Sequence, residues 1–141
     1  MQRWLFKSEP GSYSISDLKR DGRTTWSGVS NALARIHLRS ISRGDQILFY
    51  HTGSVKAVVG VMEAIGGPKR DSESDDPKAV AVEVQFSQAF ATAVTLQKIK
   101  KDRAFADWDL VRKPRLSVMP VNEKQWKRVG QLAGGSRVTS P

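Results

Sequence analysis

The chain has 141 residues, 39% of them hydrophobic, which suits a single domain with a modest core over residues 1–133 and a flexible tail over 134–141. Its 23 Lys and Arg against 14 Asp and Glu give a net charge of +9 and a pI near 10.2, which points to polyanionic partners, DNA or RNA. The lack of cysteine excludes disulfides, thiolate metal sites and thiol nucleophiles, two histidines make a poor zinc ligand set, and no apolar run has the length of a membrane span or the form of a secretory signal, so no metal, cofactor or membrane is expected and the expected location is the cytoplasm.

Arg3 to Lys7 is a short apolar run stopped by Pro10-Gly11, which predicts a first strand. Ser14-Ile15-Ser16-Asp17 has the form of an N-terminal capping box, so a helix follows over 15–20 and ends at Asp21-Gly22. Trp26 then precedes a glycine turn. Ser27 or Ser30 can cap the next helix, with Val29, Leu33 and Ile36 on one face and Asn31, Arg35, Arg39 and Arg43 along a second stripe. That stripe suits either phosphate or plain solvation. Gln46 to His51 and Ala57 to Ala64 read as a tight antiparallel hairpin, with Gly60 marking a bulge or a close backbone approach.

Gly66 to Lys78 contains no apolar residue and is acidic, so it reads as an exposed, mobile loop. Val80, Val82, Val84 and Phe86 alternate with polar or small residues and predict a half-buried strand over 79–87. Thr95 caps a short helix whose far end is rich in lysine. Leu116 to Val121 is a strand interrupted by Pro120 and therefore sits at an edge. Asn122 and Gln125 cap a last helix containing Trp126 and Val129, with Gly134-Gly135 past its end. Strands and helices in this order do not form an alternating βα series. The fold class is α+β, built on a small, strongly curved or barrel-like sheet.

Several chemistries lack their parts. Gly28 to Ala32 matches a loose G-x-S-x-A elbow, but no strand is evident before it. Neither a P-loop nor a G-x-G-x-x-G fingerprint occurs, and a His/Cys/Cys zinc deaminase set cannot be assembled. What remains are aromatic residues beside hydrogen-bonding groups where strands meet loops: Trp26, Tyr50-His51 and Lys7-Ser8-Glu9. Stacking on an aromatic side chain is worth about 1–3 kcal/mol per base, and nearby amides and a carboxylate can read a base edge. Taken alone, Trp26 reads more readily as a core tryptophan.

The motifs W-L-F-K-S-E-P (4–10), W-S-G-V-S-N (26–31), A-R-I-H-L-R (34–39), G-D-Q-I-L-F-Y-H (44–51), V-V-G-V (58–61) and R-L-S-V-M-P-V (115–121), in this order, resemble the EVE domain family. The resemblance runs from residue 3 to about residue 129. It implies a PUA-like fold, a curved mixed sheet or pseudo-barrel of five to six strands flanked by short helices, akin to YTH and ASCH domains. It also implies recognition of modified bases, modified cytosines among them. Carried over by position, it places Lys7, Ser8, Glu9, Trp26, Val29, Asn31, Tyr50, His51, Leu116, Ser117 and Val118 at or beside a base pocket. Ser30 departs from the family pattern, which has arginine there; Arg35 and Arg39 match it.

The expected function is a reader that stacks an extruded base on Trp26, with Tyr50 or an apolar residue of 116–118 opposite. Asn31, Ser8 and Glu9 would read the polar edge, and Arg35, Arg39 and Arg115 would hold flanking phosphates. Two other readings stay open. One is an enzyme acting on a nucleotide or modified base with His51 or Glu9 as acid/base, and the other is an adaptor with a vestigial pocket.

Overall fold

A computed structural model describes residues 1–134, so the tail expected over 134–141 falls, from residue 135 on, outside the described residues. The strands are β1 (Arg3–Ser8), β2 (Arg23–Trp26), β3 (Gln46–His51), β4 (Ala57–Ala64), β5 (Lys69–Arg70), β6 (Val80–Thr95) and β7 (Val118–Pro120). The helices are α1 (Ile15–Asp21), α2 (Ala32–Arg39), α3 (Leu96–Lys101), α4 (Asp109–Arg112) and α5 (Glu123–Leu132). Seven strands form one mixed sheet, one or two more than the resemblance implies, in the order β2-β6-β4-β3-β1-β7 with β5 added to β6. Among the described residues only β1 and β3 pair in parallel.

This sheet curls on itself. In a flat sheet β2 and β1 would stand four strand spacings apart, about 19 Å. Yet the rings of Phe6 on β1 and Trp26 on β2 have centroids 5.3 Å apart, so the β2 edge faces β1 across the core. Register shifts at Phe49/Tyr50, Val58/Gly60 and Val61/Met62 supply bend and extra twist. At Gly60, the position expected to bring two backbones together, an added Cβ would lie 2.4 Å from the carbonyl oxygen of Gln88 on β6.

Local capping follows the sequence closely. Ser14 with Asp17 and Asn122 with Gln125 form reciprocal capping boxes at α1 and α5, and Thr95 Oγ1 accepts from the Lys98 N–H at α3. Pro120 lies on β7, the edge strand. Trp4 and Trp126 are buried in the core. The indole N–H of Trp4 donates to Asp45, whose buried carboxylate also accepts from the N–H groups of Gln2 and Ser42 at 3.0 and 2.9 Å. A desolvated carboxylate with three donors ties the start of β1 to the start of β3.

Four expectations need correction. Helix α2 starts at Ala32 and is capped by Asn31, whose Oδ1 accepts from the Ala34 N–H; neither Ser27 nor Ser30 caps it. With that start the buried stripe is Ala34 and Leu38, four residues apart, and Ile36 turns outward at 55% exposure. Strand β2 precedes the G-x-S-x-A stretch, where none was evident, because an edge strand with one buried residue in four carries no hydrophobic period. Strand β6 runs to Thr95, well past residue 87; its second half is mostly partly exposed, with Val94 alone buried, and carries no clean apolar alternation. The 66–78 segment contains β5 and the buried Asp71, and it packs on the chain around α2.

Candidate functional site

The curled sheet leaves a cavity of about 480 Å³ where its ends approach. β1 contributes Lys7 and Ser8 to its wall, and β2 contributes Thr24, Thr25 and Trp26. Ser27 to Asn31 close one side, Ser12 and Tyr13 another, and Arg115 and Ser117 stand at the entry to β7. This size lies within the usual range for small-ligand sites. No lining residue carries a carboxylate, while Lys7 and Arg115 carry positive charge.

Trp26 serves both of its readings. It is 9% exposed, packed edge-on to Phe49 at 5.4 Å and tilted against Phe6, and its remaining surface lines the cavity. Ser8 donates its hydroxyl to the Tyr13 carbonyl at 2.6 Å, which folds the 9–13 turn over the opening. Tyr13 is thus a second aromatic in the wall. Its own hydroxyl donates to Asp21, and burial with that carboxylate beside it raises its pKa. Asn31 spends its carbonyl oxygen on the helix cap, so its NH2 group is the part left to meet a ligand. Lys7 donates to the Pro114 carbonyl and lies 5.6 Å from the Tyr50 ring centroid; partial burial lowers its pKa.

Of the residues expected here, Lys7, Ser8, Trp26, Val29, Asn31, Arg115 and Ser117 do share one cavity. Tyr50, His51, Leu116 and Val118 do not line it. Tyr50 and His51 are buried on β3, Val118 on β7 and Leu116 in the loop before β7, and the tyrosine in the lining is Tyr13. Glu9 is exposed at the turn and also lies outside the lining. Ser12, Tyr13, Thr24 and Thr25 were not anticipated: the curl of the sheet brings β2, with Thr24 and Thr25, to the β1 side, where the turn after β1 carries Ser12 and Tyr13.

A family model described as the EVE domain matches residues 2–132. The chain belongs to the EVE domain family. Mouse thymocyte nuclear protein 1 is 30% identical over 87% of this chain and 70% of its own length. A crystal structure of an Agrobacterium tumefaciens protein matches with a TM-score of 0.93 at 31% identity, covering 97% of this chain and 96% of that one. Human THYN1 protein, crystallised in complex with 5-methylcytosine-containing DNA, matches with a TM-score of 0.88 at 26% identity over 95% of this chain and 98% of that one.

In this EVE domain the two arginines of α2 face the acidic segment instead of the pocket. Arg35 is 15% exposed; its Nε donates to the Val29 carbonyl and its Nη1 pairs with Asp76 at 2.7 Å. Arg39 donates to the Lys78 carbonyl at 2.8 Å. Asp71 accepts the N–H of Gly28, which has a φ of +75°, and Ser27 donates to Glu73. The acidic segment therefore braces the outer side of the Ser27–Asn31 wall. Arg35 is a structural strut here, and a strut satisfied by a carboxylate is poorly placed to hold phosphate.

His51 is likewise engaged. Its Nδ1 lies 3.4 Å from the Ser8 carbonyl and its Nε2 accepts the Ile15 N–H at 3.3 Å, a pattern that one neutral tautomer satisfies. Burial holds its pKa below the usual 6.5. A depressed folded pKa means that this contribution to stability is complete above the unfolded value. It is then lost as pH falls through the folded one. Urea denaturation at pH 7 and pH 5.5 is expected to show a decline in wild type that His51→Gln reduces; an unchanged decline would assign it to His37, whose pKa burial also lowers. Among the described residues no group of three His, Asp or Glu side chains is placed to hold a metal ion, and no helix is long and apolar enough to cross a membrane.

Proposed function

We propose that this EVE domain is a nucleic-acid reader whose cavity holds a single nucleobase turned out of its strand, with a modified cytosine the favoured occupant. The observation that carries the reading is the composition of the cavity wall. An indole surface and a tyrosine lie among hydroxyls, one free side-chain amide and two cations, with no carboxylate to repel a polyanion. Support comes from the relative crystallised with 5-methylcytosine-containing DNA, whose fold this chain shares.

In this reading the base packs against Trp26. The NH2 of Asn31 donates to the ring nitrogen and carbonyl side of cytosine, and Lys7 and Arg115 at the rim meet the adjoining phosphates. The hydroxyls of Thr24, Thr25 and Ser117 adapt as donor or acceptor to the rest of the edge. Ser30 lies on the wall where the family pattern has arginine, so the phosphate grip on that side is weaker and falls to Arg115. No observation favours an enzyme with His51 or Glu9 as acid/base: the first has both ring nitrogens facing backbone groups, and neither lines the cavity.

The test is equilibrium binding of labelled oligonucleotides carrying 5-methylcytosine, 5-hydroxymethylcytosine or cytosine at one position. Wild type is expected to prefer a modified base, and equal affinity for all three would overturn the reading. Asn31→Ser isolates the amide. Serine caps a helix about as well as asparagine, so stability should change by less than about 0.5 kcal/mol. The lost hydrogen bond should weaken binding of the favoured oligonucleotide by about 1 kcal/mol, roughly fivefold.

A further inference from the structure

At the far end of α2 lies a second cleft, of about 420 Å³, lined by Arg39, Lys69, Arg70 and Lys78 with Pro68, Pro77, Ala79 and Val80. Four cations converge there and the lining includes no carboxylate. We propose that this cleft is a second phosphate site, one that takes the nucleic-acid backbone a few nucleotides away from the base held in the pocket. The proposal rests on the reader function for its occupant but on separate residues for its chemistry.

The cleft is held open by ordered backbone. Lys69 and Arg70 pair with Ala81 and Val80 of β6, and Pro68 and Pro77 fix φ where the segment enters and leaves. Arg39 spends one guanidinium donor on the Lys78 carbonyl, which leaves most of its five N–H groups for a ligand. Among the described residues Arg39, Arg70 and Lys78 have no ion-pair partner. Asp76 pairs with Arg35 and accepts the Lys78 N–H, Asp71 accepts the N–H groups of Gly28 and Glu73, Glu83 pairs with Lys69 at 2.7 Å, and neither these acids nor Asp75 lines the cleft. The Lys69–Glu83 pair is solvent-exposed and weak enough to exchange for phosphate. Without a polyanion, the three cations that have no ion pair repel one another around the cleft.

Spacing ties the cleft to the pocket. Asn31 caps the start of α2 on the pocket wall, and Arg39 is its last residue, in the cleft. Eight helical residues span about 12 Å. Successive nucleotides of a B-form strand rise about 3.4 Å, so the cleft meets phosphates three to four nucleotides from the extruded base.

Two measurements test this on the full chain. The first is a 1H–15N titration with sodium tripolyphosphate, which has no base. Amides of Lys69, Arg70 and Lys78–Val80 are expected to shift, and not to shift in Arg70→Glu/Lys78→Glu; unmoved wild-type amides would overturn the proposal. The second is binding of a 5-methylcytosine duplex long enough to reach the cleft and of one confined to the pocket. The double variant should bind the long duplex about tenfold more weakly, with a salt slope shallower by about 2, and the short one within about twofold. Its preference for the modified base should be unchanged. Wild-type affinity of the variant for both duplexes would overturn the proposal and leave an acidic protein as the occupant. Loss of long-duplex affinity without any base preference in wild type would instead defeat the base reading and keep the cleft. Thermal denaturation confirms that the exposed double variant is folded.

Discussion

Trp26→Ala is expected to cost about 3–5 kcal/mol of stability, the range for removing a large aromatic from a core, and this must be separated from any effect on binding. The side chain is 9% exposed and packs on Phe6 of β1 and Phe49 of β3. Its ring joins β2 to β1 and β3 across the core. A domain of this size has about 5–15 kcal/mol to lose, so the alanine variant is close to unfolding and its failure to bind would say nothing about stacking. Trp26→Phe is the informative change. It keeps an aromatic ring beside both neighbours and reduces the aromatic surface available to the cavity. Chemical denaturation should place Trp26→Phe well above Trp26→Ala, while binding of a modified oligonucleotide falls in both. A folded Trp26→Phe that binds like wild type would show that the indole supports the wall without touching the base.

What could be read in the chain, and what could not, divides along the range of the interactions involved. Capping boxes at Ser14 and Asn122 were legible because donor and acceptor are three residues apart. The edge position of Pro120 was legible because proline cannot donate to a ladder. Trp26, Asn31 and Ser8 were legible as pocket residues partly through their chemistry and partly through the family pattern. Thr24 and Thr25 were not, because their place in the wall depends on the edge strand β2 closing toward β1, and Tyr13 was not, because the turn that carries it is fixed by the Ser8 hydroxyl on its carbonyl. The acidic segment misled for a related reason. Nothing apolar marks it, yet Asp71, Glu73 and Asp76 each find a partner some 40 residues away, on the chain between Ser27 and Arg35. Polar contacts at that separation have no period by which sequence could announce them.

Gly60 shows how a single position sets the curl. Its missing Cβ would sit 2.4 Å from the Gln88 carbonyl oxygen and 3.0 Å from Ile15 Cδ1. The isoleucine can rotate away, but the carbonyl belongs to β6, which is hydrogen-bonded to β4 on one side and β2 on the other. Gly60→Ala must therefore move backbone, and it is expected to destabilise by about 3 kcal/mol or more, at or beyond the upper end of ordinary overpacking. Two glycine controls separate this from the general effect of adding a methyl group. Gly66→Ala meets nothing within 4 Å and has no positive φ, so it should be neutral or slightly stabilising. Gly22→Ala also has open space but a φ of +78°, which should cost about 1–2 kcal/mol through backbone strain alone. Urea midpoints in the order Gly66→Ala, Gly22→Ala, Gly60→Ala are the expected result. A Gly60→Ala protein within 1 kcal/mol of wild type would mean that β4 and β6 can part without loss, and the close approach would then not be what bends the sheet. Because β6 also carries β2 and with it Trp26, the strain should reach the pocket, and the surviving folded fraction of Gly60→Ala should bind a modified base more weakly although no residue of the wall has changed.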